Sequence, residues 1–196
     1  GIVQIDNGSS EENAYMMLVQ ADGKIVVHAS VKPGRWTSIK GQEVGFLRYR
    51  PNGTLDSTFN STGIALRQFS TGYNFPDGFT VLKNGAYVGA GHINDQAALW
   101  KFEATGALST NFGIGGKVLR PPQNGAAYTA VAEQADGRII AVGRNDYPGG
   151  GKDLLQRYFD NGAPDTSLQI NNLITNLVGA EYGQWEQIVL TPDQKI

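Results

Sequence analysis

The chain contains no cysteine. This absence excludes disulfide bonds, thiolate metal sites and cysteine nucleophiles. No apolar run approaches the roughly 18 residues that a membrane-spanning helix needs. Acidic and basic residues are interspersed, and the net charge is only -2. Because there is no basic patch or tail, the sequence predicts neither a nucleic-acid partner nor attachment to a membrane surface.

Sustained helical periodicity is also missing, whereas glycine is abundant, at 26 residues. The glycines show no Gly-x-y period, which excludes collagen, and they suit a protein with many tight turns. Short segments rich in apolar and β-branched residues between these turns predict β-strands. The predicted strands cover residues 1–6, 14–20, 24–30, 44–49, 63–70, 78–83, 86–92, 98–102, 116–120, 127–134, 138–144, 154–158 and 185–190.

One turn-and-strand pattern recurs and sets the organisation of the chain. It begins with Asp22-Gly23-Lys24-Ile25-Val26-Val27, returns around Gly85 and Gly137, and starts again at Asp193. An Asp-Gly or Asn-Gly pair before an apolar run is a strong hairpin signal because glycine tolerates positive φ. The spacing gives units of about 50–60 residues with four strands each. The predicted units are residues 1–62, 63–115, 116–169 and a partial unit at 170–196.

These units predict an all-β fold, a β-propeller-like array of four-stranded antiparallel blades with about three complete blades and a partial one. A β-solenoid-like repeat array is the alternative, although solenoid coils are usually much shorter. Three and a fraction blades cannot close a ring of the usual four to eight. We therefore expect this chain to be part of a longer propeller, or a subunit that further copies complete.

The repeated motifs are specific enough to suggest a family. They are Asp22-Gly23-Lys24-Ile25-Val26-Val27, Phe46-Leu47-Arg48-Tyr49 and Asn52-Gly53-Thr54-Leu55-Asp56-Ser57-Thr58-Phe59, with partial copies along nearly the whole chain. This set resembles the delta-60 repeat, a bacterial β-propeller-type repeat found largely in big secreted or surface proteins. The resemblance implies an extracellular or cell-surface location in a bacterium and implies no reaction. Unit three departs from the pattern at Pro164 and Leu168, so we expect its closing turn to be distorted.

The recurring residues have structural explanations. Glycines at the first turn of units one to three permit positive φ, and a basic residue precedes the second turn. An aspartate follows that turn in units one and three, where unit two has Ser109. We expect a blade-internal Arg–Asp pair to brace the closing loop, with a phenylalanine plugging the core beneath it. A ring of basic residues that binds an anion or a sugar is the alternative interpretation. The residues concerned are Gly23, Gly85, Gly137, Arg48, Lys101, Arg157, Asp56, Asp165, Phe59 and Phe112.

Candidate binding residues are few. Ser30, His92 and Arg144 occupy equivalent positions at the ends of corresponding strands, where polar side chains line a predicted propeller mouth. Trp36, in the long variable loop of unit one, is a candidate platform for a sugar ring. The other histidine, His28, lies inside a predicted strand and is expected in the core. Neither histidine has a partner at metal-ligand spacing, so we predict no metal, no cofactor and no catalytic residue.

The predicted function is that of a non-catalytic extracellular or cell-surface binding or scaffold propeller, adhesive or carbohydrate-binding. The predicted partners are glycans and the remaining blades, from a longer chain or from further copies. Part of a polysaccharide-acting enzyme, with its site at the propeller mouth or in missing residues, is one alternative. A subunit of a structural filament is another. Asn7, Asn52 and Asn60 match the N-glycosylation pattern.

Overall fold

The computed structural model describes residues 11–32, 41–120, 125–145, 152–168 and 187–191. Within these ranges the chain forms strands and turns, and none of them contains a helix long and apolar enough to cross a membrane. The strands are β1 (Glu11–Val19), β2 (Ile25–Lys32), β3 (Glu43–Tyr49), β4 (Ile64–Arg67), β5 (Asn74–Val81), β6 (Tyr87–Ile93), β7 (Gln96–Phe102), β8 (Lys117–Leu119), β9 (Ala126–Glu133), β10 (Ile139–Asn145) and β11 (Lys152–Tyr158).

The strands form three antiparallel sheets, which we call blades. Blade 1 contains β1 to β4, blade 2 contains β5 to β8, and blade 3 contains β9 to β11, with neighbours in chain order in each sheet. The first strands of successive blades contact one another, so β1, β5 and β9 mark the inner edge of the array. The prediction of an all-β fold with propeller-like antiparallel blades is confirmed, and the described blades form an open array rather than a closed ring.

The sheets begin one strand later than the predicted units. The strand that opens the predicted unit 63–115 is β4, and it pairs with β3 of blade 1. Likewise β8, which opens the predicted unit 116–169, pairs with β7 of blade 2. The closing loop turns the chain back beside the strand it has just left, which makes that strand the nearest antiparallel neighbour. Periodicity therefore gives the length of the repeat but not the position at which one sheet ends.

The first and last predicted strands have no observed counterpart. Residues 1–6 lie outside the described residues, as do 185 and 186, and the described remainder of the predicted strand 185–190 has no regular structure, so that prediction is wrong for 187–190. The first-turn glycines, by contrast, are all described. Gly23, Gly85 and Gly137 have φ angles of 79°, 83° and 83°, in the left-handed region that favours glycine.

The core consists of two apolar clusters, one at each interface between neighbouring blades. The first cluster joins blades 1 and 2, and its buried members include Val26, Phe46, Phe59, Tyr87 and Trp100. The second joins blades 2 and 3 and includes Val88, Leu99, Phe112, Ile139 and Tyr158. Blade 2 thus buries its two faces against different neighbours. Hydrophobic burial between blades is therefore the main source of stability.

Each inner strand carries a β-bulge at the same place. The pairing shifts between Ala14 and Met16 in β1 and between Pro76 and Phe79 in β5, and β9 shifts opposite Val142 and Gly143. A bulge increases the local twist and leaves residues unpaired, so a proline is tolerated there. Pro76 accordingly lies within β5, which begins four residues before the predicted strand 78–83.

Candidate functional site

An Arg–Asp pair holds the closing loops of blades 1 and 3. Arg48 Nε donates to Asp56 Oδ2 at 2.9 Å, and Arg157 Nε donates to Asp165 Oδ2 at 2.8 Å. Both aspartates are buried, and each also accepts a hydrogen bond from a hydroxyl two residues later. Each carboxylate therefore joins the strand before the turn to the loop after it.

The surroundings keep both carboxylates ionised. Burial acts to raise the pKa of Asp56, but hydrogen bonds from Thr58 and the Arg48 charge lower it below its usual value. At Asp165 the Ser167 hydroxyl is the largest influence, and the pKa falls to about 2. Because these pKa values are lower in the folded than in the unfolded state, the aspartates stabilise the fold above about pH 4. That stabilisation is lost as the pH falls further.

Replacing Asp56 by asparagine should lower the free energy of unfolding by about 1–3 kcal/mol, since Arg48 would remain largely buried without its counter-charge. Thermal and urea unfolding would measure the change. The matched control is Asp22→Asn, which removes a carboxylate that is 52% exposed beside Lys24 and should leave the melting point essentially unchanged. An unchanged melting point for the Asp56 variant would show that the pair does not brace the loop.

The turn of unit three is not distorted, contrary to the expectation from Pro164 and Leu168. Asp165 N donates to Arg157 O at 2.8 Å, as Asp56 N does to Arg48 O in blade 1. Pro164 forms the same kind of bridge to Tyr158 that Leu55 forms to Tyr49. The amides of neighbouring residues make the backbone hydrogen bonds here, so the missing proline N–H removes none of them.

The basic residues of the closing loops of blades 1 and 2 also reach the next blade. Arg48 Nη1 donates to the carbonyl of Ala104 at 3.1 Å, and Lys101 Nζ donates to the carbonyl of Asp160 at 3.2 Å. In blade 2 a serine, Ser109, replaces the aspartate, and Lys101 instead pairs with the Asp160 carboxylate of blade 3. These basic side chains therefore lie at the interfaces between blades.

The closing loop of one blade packs against the second turn of the following blade, which contains a glycine such as Gly106. Asn60 N donates to Thr105 O at 2.7 Å, and the same contact recurs one blade later from Gly113 N to Asn161 O at 2.8 Å. A Cβ on Gly106 would lie 2.9 Å from Asn60 N, closer than real contacts allow. Glycine is required here because the neighbouring backbone approaches so closely. Asn60 also donates from its side-chain amide to the carbonyl of Ile64, the first residue of β4.

A cleft opens between blades 2 and 3, where their central strands end. It encloses about 80 Å³ and is lined by His92, Asp95, Gly125, Ala126, Ala127 and Arg144. Two of the three predicted mouth residues, His92 and Arg144, therefore meet. The third, Ser30, is fully buried with its hydroxyl 3.4 Å from that of Tyr15, and it lines a separate cavity on blade 1. Trp36 lies outside the described residues.

Aromatic rings border the cleft. Phe75 pairs with His92 across neighbouring strands, and their ring centroids are 5.0 Å apart. Tyr73 stacks on Phe75 with a centroid distance of 6.1 Å and an interplanar angle of 17°. All three rings are half-buried, so flat apolar surface lies directly beside the polar groups.

A tight hairpin fixes one wall of the cleft. Asn94 and Asp95 form the two-residue connection between β6 and β7, with φ angles of 48° and 60°. Asparagine and aspartate tolerate this left-handed conformation better than most residues do. The Asn94 side chain accepts from Tyr73 N at 3.1 Å, and Asp95 O accepts from Ala126 N at 3.0 Å. The hairpin is thus hydrogen-bonded both to the segment that carries the stacked aromatic rings and to blade 3.

Sequence reasoning missed the carboxylates near this cleft. Asp77 lies in the β5 bulge, where burial raises its pKa to about 6 against the opposing charge of Arg144. Its Oδ2 is buried and has no hydrogen-bond partner within the part of the chain that the structure describes. The Asn94-Asp95 pair between two short strands was the available signal for Asp95. Across the described ranges, no three His, Asp or Glu side chains converge as a metal site.

Comparison with known families agrees with this architecture. Residues 34–59 and 134–168 match a family model described as a domain of unknown function (DUF5122) beta-propeller. The two segments include the closing loops of blades 1 and 3 with their Arg–Asp pairs. The match supports a β-propeller-type repeat family. No curated protein matches the chain.

Proposed function

We propose that this chain is a non-catalytic binding and scaffold module of a bacterial protein, outside the cell or on its surface, and that the cleft between blades 2 and 3 binds a saccharide. The observation that carries the proposal is the meeting of Arg144, His92 and Asp95 beside the stacked rings of Phe75 and Tyr73. The resemblance of the repeat to those of large secreted and surface proteins supports the location.

The lining groups suit sugar hydroxyls. The Arg144 guanidinium donates hydrogen bonds, the Asp95 carboxylate accepts them, and an imidazole such as that of His92 offers a donor or an acceptor. Aromatic rings provide flat apolar surface for the carbon-bound face of a sugar. A volume of about 80 Å³ corresponds to a few water molecules, so the cleft accepts the edge of one sugar ring. Binding at one such cleft is weak, and several copies on one surface would strengthen it through avidity.

A glycan array probed with the whole chain would identify the ligand, and titration calorimetry would then give its dissociation constant. Arg144→Met, which keeps the aliphatic stem and removes the donors, should raise that constant at least about tenfold. Arg67→Met is the matched control, because Arg67 is an exposed arginine on β4 of blade 1. Absence of glycan binding, or equal binding by the two variants, would contradict a saccharide site in this cleft.

One observation favours the alternative of a polysaccharide-acting enzyme. Asp77, with its pKa raised to about 6, has the protonation behaviour of a general acid. A screen for new reducing ends, with the whole chain and a panel of polysaccharides, separates the two functions. If the wild type hydrolyses a polysaccharide and Asp77→Asn does not, the function is catalysis rather than binding. Binding without hydrolysis supports the proposal.

A further inference from the structure

The hairpin that forms one wall of the cleft between blades 2 and 3 differs from the matching connections of the other units. The connection between the second and third strands of a blade spans residues 33–42 in blade 1 and 146–151 in blade 3, but only Asn94 and Asp95 in blade 2. Both residues have positive φ, a conformation that asparagine and aspartate tolerate. The repeat itself does not require this short hairpin, which lies where the cleft opens.

The side-chain oxygen of Asn94 contacts the segment that precedes β5. It accepts a hydrogen bond from Tyr73 N at 3.1 Å, and the Ser70 hydroxyl lies 3.2 Å from it. Asn94 N in turn donates to Tyr73 O at 2.9 Å. A Cβ on Gly72 would lie only 2.0 Å from the Asn94 oxygen, so a glycine is needed for this amide to approach. The hairpin and the segment are therefore joined by hydrogen bonds in both directions.

The segment 70–74 is also anchored in blade 1. The side-chain amide of Asn74, which is fully buried, donates to the carbonyls of Gln42 and Ser70, both at 2.9 Å. Gln42 is the residue before β3, and it is buried as well. The Ser70 hydroxyl lies 3.0 Å from Asn74 Oδ1. A connected set of hydrogen bonds therefore extends from blade 1 through this segment to Asn94.

These hydrogen bonds connect two parts of the cleft that a ligand would contact. The Tyr73 ring stacks on Phe75, which lies beside His92, and Asp95 directly follows Asn94. Asn94 therefore joins the backbone that carries the aromatic rings to the backbone that carries the carboxylate. Because the hydroxyls and the apolar face of a sugar have fixed relative positions, a site distinguishes epimers only when its own polar and aromatic groups are held in place.

We propose that Asn94 is a positioning residue that determines the preference of the cleft for one neutral hexose over its epimers, an inference that rests on the proposed saccharide function. Its amide holds the Tyr73 and Phe75 rings at a set distance from the Asp95 carboxylate before the ligand binds. The opposite charges of Arg144 and Asp95 in the cleft favour a ligand without net charge.

Titration of the whole chain with the methyl α-glycosides of glucose, galactose and mannose tests this role. Galactose and mannose each differ from glucose in the orientation of one hydroxyl group. Asn94→Gly keeps the positive φ and removes the amide, so the ratio of the weakest to the tightest dissociation constant should fall several-fold towards one. Asn94→Asp keeps an acceptor oxygen and tolerates the same φ, so it should retain the wild-type ratio. A general loss of stability would weaken binding of all three sugars alike and leave the ratio unchanged.

The matched control is Asn84→Gly. Asn84 is an exposed turn residue whose side-chain oxygen accepts from Ala86 N at 3.0 Å, and its turn lies at the opposite end of β6 from the cleft. This variant loses a similar hydrogen bond and should keep both the dissociation constants and their ratio. Circular dichroism verifies that each variant folds.

Hydrogen exchange followed by NMR measures the Asn94 contact without any ligand. The Tyr73 amide should exchange about fivefold faster in Asn94→Gly than in the wild type, the factor expected for one lost hydrogen bond of ordinary strength. In Asn94→Asp and Asn84→Gly it should exchange at the wild-type rate. An unchanged Tyr73 rate in Asn94→Gly, or an unchanged epimer ratio, would overturn the positioning role alone. A wild type that binds none of the three sugars, or all three equally, overturns the hexose preference, and absence of all glycan binding overturns the proposed function as well.

Discussion

Replacing Phe59 by alanine is expected to lower the free energy of unfolding by about 3–5 kcal/mol. Phe59 is fully buried in the cluster between blades 1 and 2, although it belongs to a loop rather than to a strand. Its ring packs edge-on against Tyr87 of the next blade, with centroids 5.4 Å apart, and lies beneath the Arg48 guanidinium at 4.7 Å. The substitution would leave a cavity at an interface and remove support from the Arg–Asp pair above it. Urea unfolding followed by tryptophan fluorescence would measure the loss.

The control for this prediction is Phe159→Ala. Phe159 is 42% exposed and lies near Arg138, with 5.5 Å between the ring centroid and the guanidinium carbon. Its removal should cost less than about 1 kcal/mol, because little area is buried and no cavity forms. Equal losses for the two substitutions would mean that the loop phenylalanine does not join the blades.

The strands and closing loops were predictable because their signals are local. Turn glycines, β-branched residues and apolar runs recur at nearly constant spacing, so every predicted strand that lies wholly within the described ranges overlaps an observed one. The Arg48–Asp56 pair was also accessible from sequence, since the two residues flank a single tight turn. Interactions within one hairpin depend on few degrees of freedom, and units one and three repeat the same arginine and aspartate.

The position at which one sheet ends and the next begins depends on contacts between distant segments, and so does the cleft. Whether β4 joins blade 1 or blade 2 is decided by its pairing with β3, and its own sequence suits either position. The β5 bulge that buries Asp77 forms against blade 3, where Gly78 lies close to the Thr129 backbone. The cleft then follows from the way two blades meet. No spacing within one unit reveals which polar side chains of different blades will face each other.

The buried histidine, His28, leads to a prediction about the pH dependence of stability. His28 was expected in the core, and it is fully buried against Phe46, Phe79 and Trp100, with 4.9 Å between its ring centroid and that of Phe46. Neither ring nitrogen has a well-formed hydrogen bond among the described residues. Burial lowers the pKa of His28 to about 3, against a smaller opposite effect of the Asp77 backbone. The folded state therefore holds this imidazole neutral where the unfolded chain would protonate it.

Replacing His28 by valine, the residue found at the equivalent position Val142, should make the protein less sensitive to acid. In the wild type the unfolded state binds the His28 proton below about pH 6.5 and the folded state does not, so this residue reduces stability by about 1.4 kcal/mol per pH unit below that point. Asp77 acts in the opposite sense, because its pKa of about 6 exceeds the unfolded value and favours the folded state as the pH falls. The two slopes nearly cancel between about pH 4 and 6, so the wild-type curve alone conceals both.

The difference in unfolding free energy between the wild type and His28→Val, measured across pH, separates the contribution of His28 from that of Asp77. Between pH 6.5 and pH 4.5 the His28→Val protein should gain about 3 kcal/mol relative to the wild type, measured by urea unfolding at each pH. Asp77→Asn should lose stability more steeply than the wild type as the pH falls from about 6 to 4, because the effect of His28 is then no longer compensated. At neutral pH the valine variant should be slightly less stable, since it fills less of the aromatic cluster. Parallel curves for wild type and His28→Val would mean that the imidazole is protonated within the folded core.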